Sequence, residues 1–86
     1  MKIPVTIYTT PNCVKCESTK RLMNKLHIEY TVEDLTDPKN AKKLAEFKAK
    51  GHMTAPIVTT DVKTWSDFQY QKIQSLANHI FSKEAH

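Results

Sequence analysis

The chain of 86 residues carries 13 Lys and Arg against 9 Asp and Glu, a net charge of +4, and its length supports one domain over 1–86 with a single core, near the lower limit for folding without metals or several disulfides. One glycine and four prolines exclude a low-complexity or flexible chain. The basic residues are interleaved with Glu17, Glu29, Glu33, Asp34 and Glu46, which excludes a nucleic-acid footprint, and the N-terminal Met1-Lys2-Ile3-Pro4-Val5-Thr6 offers no signal peptide or spanning helix, so a cytoplasmic chain that enters no membrane is expected.

Ile3, Val5 and Ile7 alternate with Pro4, Thr6 and Tyr8 until Thr9-Thr10-Pro11-Asn12 breaks the pattern, which reads as a strand running into a loop. From Val14 to Leu26, Thr19, Leu22, Met23 and Leu26 recur at helical spacing opposite Lys15, Lys20, Arg21 and Lys25, with Asn12 placed as the cap. Ile28, Tyr30 and Val32 alternate again, predicting a second strand and a right-handed β-α-β unit. Asp37-Pro38 is a helix start, with Ala41, Leu44, Ala45 and Phe47 as the buried stripe and Gly51 as the stop. Ala55 to Thr60 reads as a third strand, and Asp61 to Trp65 as a turn with a short fourth. Ser66 or Asp67 then caps a last helix whose apolar face is Tyr70, Ile73, Leu76, Ala77, Ile80 and Phe81, followed by a polar tail from Ser82 to His86. The predicted order is β-α-β-α-β-β-α, an α/β class.

Cys13 and Cys16 are the only cysteines. A bridge between them closes too small a loop to constrain the unfolded chain, so the pair is there for chemistry. The same spacing occurs in zinc sites, where a second ligand pair completes the coordination. Here there is no second pair, and His27, His52, His79 and His86 have no paired ligand spacing, so no metal is expected. Position sharpens the reading. At the start of a helix that follows a strand and loop, free backbone N–H groups and the positive end of the dipole stabilise a thiolate at Cys13. Lys15 adds positive charge and Glu17 offsets part of it. Cys16, about one turn further on, can reach Cys13 and resolve a mixed disulfide. The competing reading, two small buried hydrophobes, fits poorly with Pro11, Asn12 and Lys15 around them.

Two further features each stay open at this level. Pro56 is either the first residue of a strand or the second residue of a cis Ala55–Pro56 bond, which would present the backbone before it, at Thr54 and Ala55, as an edge for an extended disulfide substrate. Trp65, beside Ser66 and Phe68, either packs under the last helix or forms a partner-facing patch.

Val5-Thr6-Ile7-Tyr8-Thr9-Thr10-Pro11-Asn12-Cys13-Val14-Lys15-Cys16, then Ala55-Pro56-Ile57-Val58, then Trp65-Ser66-Asp67-Phe68 together resemble the NrdH-redoxins, which are glutaredoxin-like proteins, over nearly the whole chain. The resemblance implies a thioredoxin fold, a four-stranded mixed sheet in order 2-1-3-4 flanked by helices, with Pro56 cis and facing the cysteines. It implies electrons passing from NADPH through thioredoxin reductase to a ribonucleotide reductase or another disulfide-containing protein, with no bound cofactor. Cys13 would attack and Cys16 resolve, Thr54, Ala55 and Pro56 would orient the substrate, and Trp65, Ser66 and Phe68 would help select the partner. One small domain with one site is expected to be a monomer.

Glutathione-dependent glutaredoxins share that fold but usually carry a CPYC-type site, a Lys shortly before it and a Gly-Gly pair after the third strand. This chain has Val14-Lys15 between the cysteines, Thr10 where many have Lys, and its one glycine, Gly51, ahead of Pro56. A glutathione-fed glutaredoxin is therefore the second reading, and a non-enzymatic redox sensor or metal-binding module the third. The chain also departs from the common NrdH-redoxin pattern Trp-Ser-Gly-Phe-Arg-Pro, with Trp65-Ser66-Asp67-Phe68-Gln69-Tyr70 in its place.

Overall fold

The computed structural model describes residues 4–84; Ile3, read above as the start of the first strand, and the end of the tail at Ala85 and His86 lie outside them. The elements are β1 (Thr6–Thr9), α1 (Val14–Lys25), β2 (Thr31–Asp34), a 3-10 turn (Pro38–Asn40), α2 (Ala41–Ala49), β3 (Ile57–Thr59), β4 (Thr64–Ser66) and α3 (Tyr70–Glu84). They form one four-stranded sheet in order β2-β1-β3-β4. β1 and β2 are parallel, and β3 runs antiparallel to both its neighbours, so the order and mixed sense implied by the resemblance are both present. No helix among the described residues is long and apolar enough to cross a membrane.

The two-residue period of the strands divides the core between the faces of the sheet. Ile7 and Val58 join Met23, Ile28, Trp65, Ile73, Leu76 and Ile80 on the side covered by α1 and α3. Tyr8 and Ile57, each one residue away, pack with Leu35, Leu44 and Phe47 on the side of α2. Thr19 is fully buried within α1 and donates its hydroxyl to the Lys15 carbonyl at 2.9 Å, so no polar group is left unpaired there.

Several local expectations shift. β2 begins only at Thr31; Ile28 is buried, but in the segment that leaves α1, and Val32 is exposed because β2 is a sheet edge. Asp37 caps the 3-10 turn by accepting the Lys39 N–H at 3.1 Å, and α2 starts four residues later. Of its predicted stripe, Phe47 is buried and Leu44 half-buried, whereas Ala41 and Ala45 are exposed. Phe47 is the buried residue that α2 contributes to the smaller cluster, and its ring meets Tyr8 edge-on at 4.9 Å. Ser66 and Asp67 stand too far upstream to cap α3, whose first turn closes from the Ile73 N–H to the Gln69 carbonyl at 3.1 Å. Tyr70 and Phe81 are exposed, and the helix continues through Ser82 to Glu84, where a tail was expected.

The ends of α1 and α2 share one device. Ile28 N–H reaches the Met23 carbonyl and His52 N–H the Phe47 carbonyl, each at 2.9 Å, while His27 bonds Asn24 and Gly51 bonds Lys48, each at 3.1 Å. This is the Schellman pattern, which needs a left-handed residue just past the helix. Gly51 adopts φ 88° with open space where a Cβ would stand, but His27 adopts φ 60° against its own Cβ. His27→Gly is therefore expected to stabilise the fold by about 0.5–1 kcal/mol, seen as a higher urea midpoint at unchanged slope. A lower midpoint would show that the imidazole contributes more than its backbone strain costs.

Candidate active site

Register brings the three sequence motifs to one end of the sheet. Tyr8 lies opposite Ile57, and Ile57 opposite Ser66. The chain after β1, the chain before β3 and the chain after β4 therefore leave the sheet together. They carry Cys13 and Cys16, Thr54 to Pro56, and Ser66 to Phe68.

Asn12 does not cap α1. It takes φ 58° and turns the chain, and Cys13 becomes the N-cap in an extended conformation, with Sγ accepting the Cys16 backbone N–H at 3.1 Å. The cap falls one residue later than expected because the sulfur occupies the acceptor position that an Asx side chain usually fills. Cys13 and Cys16 form a disulfide with Cα atoms 5.2 Å apart. Their exposure differs: Cys16 is 2% exposed and Cys13 is half-buried. An incoming thiol or disulfide thus meets the Cys13 sulfur first. After reduction, the N–H that caps this sulfur and the positive end of α1 both stabilise its thiolate.

The charges pair differently from the sequence expectation. Glu17 pairs with Lys20 at 2.9 Å, so it does not offset Lys15. Lys15 Nζ instead lies 3.0 Å from Asp67 Oδ1. That ammonium and the Phe68 N–H, at 2.7 Å from the same oxygen, hold the Asp67 carboxyl below the ordinary carboxylate range. Asp67 sits at φ 72°, and its own N–H donates to the Pro56 carbonyl at 2.8 Å. One residue therefore links the CxxC turn, the loop before β3 and the corner leading to α3. The sequence hint was its substitution for Gly in the family pattern, but its partner could not be read from spacing.

The Ala55–Pro56 peptide is cis, which resolves the two readings of Pro56. Pro56 is buried, Ala55 half-buried and Thr54 exposed. His52 Nδ1 lies 3.3 Å from Ser66 Oγ, tying the same loop to the end of β4. Trp65 is corrected as a docking residue: it is 4% exposed and belongs to the core beneath α1 and α3, because its strand parity turns the ring to that face. Its indole N–H has no hydrogen-bond partner among the described residues. The ring borders a cleft of about 550 Å³ with Lys63, Lys72 and His79, at the end of β3 and β4 remote from Pro56. Ser66 and Phe68 stay at the redox end, half-buried. No group of three or more His, Cys, Asp or Glu among the described residues is arranged to hold a metal ion.

A model of the glutaredoxin family matches residues 5–65. The chain belongs to the glutaredoxin family. It is 30% identical over 84 residues to the gene 56 protein of Mycobacterium phage D29, spanning 98% of this chain and 93% of that protein. It is 32% identical over 72 residues to the glutaredoxin-like protein NrdH of Salmonella typhimurium, 84% of this chain and 86% of that one. Among solved structures it matches the glutaredoxin-like NrdH-redoxin of Escherichia coli with TM-score 0.75 and 29% identity, covering 85% of this chain and 93% of the other. This glutaredoxin-like chain has the thioredoxin fold, and Cys13 and Cys16 are the redox-active pair of a thiol-disulfide oxidoreductase.

Proposed function

We propose that the protein is a cytoplasmic dithiol carrier that reduces a protein disulfide, foremost that of a ribonucleotide reductase, and is re-reduced by thioredoxin reductase with electrons from NADPH, without a bound cofactor. The observation that carries this reading is the asymmetry of the pair: a half-buried Cys13 that caps its helix, backed by a buried Cys16 whose N–H bonds the Cys13 sulfur. The Cys13 thiolate attacks one sulfur of the substrate disulfide, forms a mixed disulfide and expels the other sulfur as a thiolate. Cys16 then gives up its proton and attacks the Cys13 sulfur, which closes the Cys13–Cys16 bond and releases the second substrate thiolate. Two electrons leave the carrier per cycle, and the upstream donor restores them.

The backbone from Thr54 to Pro56 is the edge on which an extended substrate would lie. Phe68, with the exposed Val14 between the cysteines and the exposed Met53 just before Thr54, would offer a protein partner apolar surface beside Ser66. The missing glycine pair favours thioredoxin reductase over glutathione as donor. So does the similarity to the E. coli NrdH-redoxin, which is described by its thioredoxin-like activity profile. The test is NADPH oxidation with a disulfide substrate, comparing thioredoxin reductase with glutathione plus glutathione reductase. Turnover with thioredoxin reductase alone is expected; turnover only with glutathione would make the protein a glutathione-fed glutaredoxin.

A further inference from the structure

The Lys15–Asp67 pair is not needed to hold the fold together: both side chains are well exposed, 61% and 43%, and such pairs add little to stability. Its position gives it another role. Lys15 is one of the two residues between the cysteines, and Asp67 is fixed from three directions, by the Pro56 carbonyl, the Phe68 N–H and Lys15 itself. A non-glycine residue at φ 72° is an unfavourable choice for a corner that a glycine would fill without strain, which points to use of the side chain. The neighbouring charges are already committed. Glu17 and Lys20, which line the cleft at Cys13, are paired with each other, and Thr54, Ala55 and Pro56 on the facing loop carry no charge. Among the titratable groups near this corner are His52, whose ring meets the Ser66 hydroxyl beside Asp67, and Tyr70, three residues after Asp67.

We propose that Asp67 is a positioning residue of the redox site: by holding Lys15 at the corner before α3, it withholds that cation from the Cys13 thiolate and keeps the reduced protein a stronger electron donor. This inference rests on reading Cys13 as the attacking thiol. In the disulfide form no thiolate competes for Lys15. Reduction by the upstream dithiol donor breaks the Cys13–Cys16 bond with two electrons and one proton, leaving a thiol at Cys16 and a thiolate at Cys13, which then competes with Asp67 for the ammonium. A cation released toward the thiolate would stabilise the reduced form, and a dithiol whose reduced form is stabilised is a weaker reductant.

Asp67→Asn is the suitable probe, since Asn tolerates positive φ and retains an oxygen for the Phe68 N–H while losing the charge. The reduced protein is alkylated with iodoacetamide across a pH series, and the labelled cysteine is identified by peptide mass. Asp67→Asn is expected to lower the alkylation midpoint of Cys13 by about half a pH unit. It should also shift the equilibrium with dithiothreitol toward the reduced protein by about two- to fivefold. In a Lys15→Met background the same Asp67→Asn change should move the midpoint no more than half as far, because no cation is left to release. An unchanged midpoint, or an equal shift with and without Lys15, would overturn the proposal while leaving Cys13 as the attacking thiol. Labelling of Cys16 ahead of Cys13 would overturn that functional reading, and the proposal with it.

Discussion

Cys13→Ser is expected to lower reduction of a protein disulfide by on the order of a thousandfold or more, to the uncatalysed rate, and Cys16→Ser to lose steady turnover while accumulating a mixed disulfide through Cys13. The two variants differ because the two sulfurs are differently placed. Cys13 caps α1 at the surface, where the Cys16 N–H and the helix dipole favour its thiolate. Cys16 is buried behind it, within reach of the Cys13 sulfur and shielded from a bulky partner. Removing the first deletes the nucleophile, so no covalent species forms. Removing the second leaves attack intact and blocks resolution. Non-reducing mass analysis of each variant with substrate separates these outcomes: a protein adduct on Cys16→Ser and none on Cys13→Ser. Turnover by Cys13→Ser at the parent rate would reject the assignment.

Ile7→Ala is expected to cost about 3–4 kcal/mol, a large share of the roughly 4–13 kcal/mol available to a chain of this size. Ile7 has no exposed surface. It sits in β1 between Val32 of β2 and Val58 of β3 and packs against the residues that α1 and α3 contribute to the larger core. The strand cannot collapse into the space left by three carbons, because its ladder holds it on both sides. Thermal unfolding should fall by about 15–25 °C. Val32→Ala is the contrasting case. It shares the register position of Ile7 but lies on the edge strand and is 44% exposed, so its cost should stay below about 1 kcal/mol. Equal losses at the two sites would contradict the division between core and edge.

Much of this arrangement was legible in the residues. Alternation in Val5 to Ile7 and the helical spacing of Ile73, Leu76, Ala77 and Ile80 report burial directly, so the element order and the larger core followed from pattern. The position of Cys13-Val14-Lys15-Cys16 after a strand and at a helix start likewise pointed to its chemistry. Errors arose where tertiary context decides. Val32 alternates like a core residue, but β2 ends up at the edge of the sheet. Ala41 and Ala45 match a helical stripe, yet of α2 only Phe47 and Leu44 join the cluster beneath it. Trp65 offered two readings from composition, and only the parity of β4 turned its ring inward. Of the left-handed residues, His27 sits in a local helix-end pattern that ordinarily takes glycine, whereas Asp67 is held by Pro56 and Lys15, residues that only the fold brings near. The Lys15–Asp67 contact is the clearest case: 52 residues separate the partners in sequence, and only the pairing of β3 with β1 and β4 makes them neighbours.

Whether Cys13 and Cys16 act as a reversible two-electron carrier is decided by mixing the fully reduced protein with excess protein disulfide in the absence of NADPH, glutathione or any reductase. One substrate disulfide should be reduced per chain, with loss of both free thiols and formation of the Cys13–Cys16 bond found in the structure. Persistence of both thiols, or reduction that begins only when glutathione is added, would contradict it.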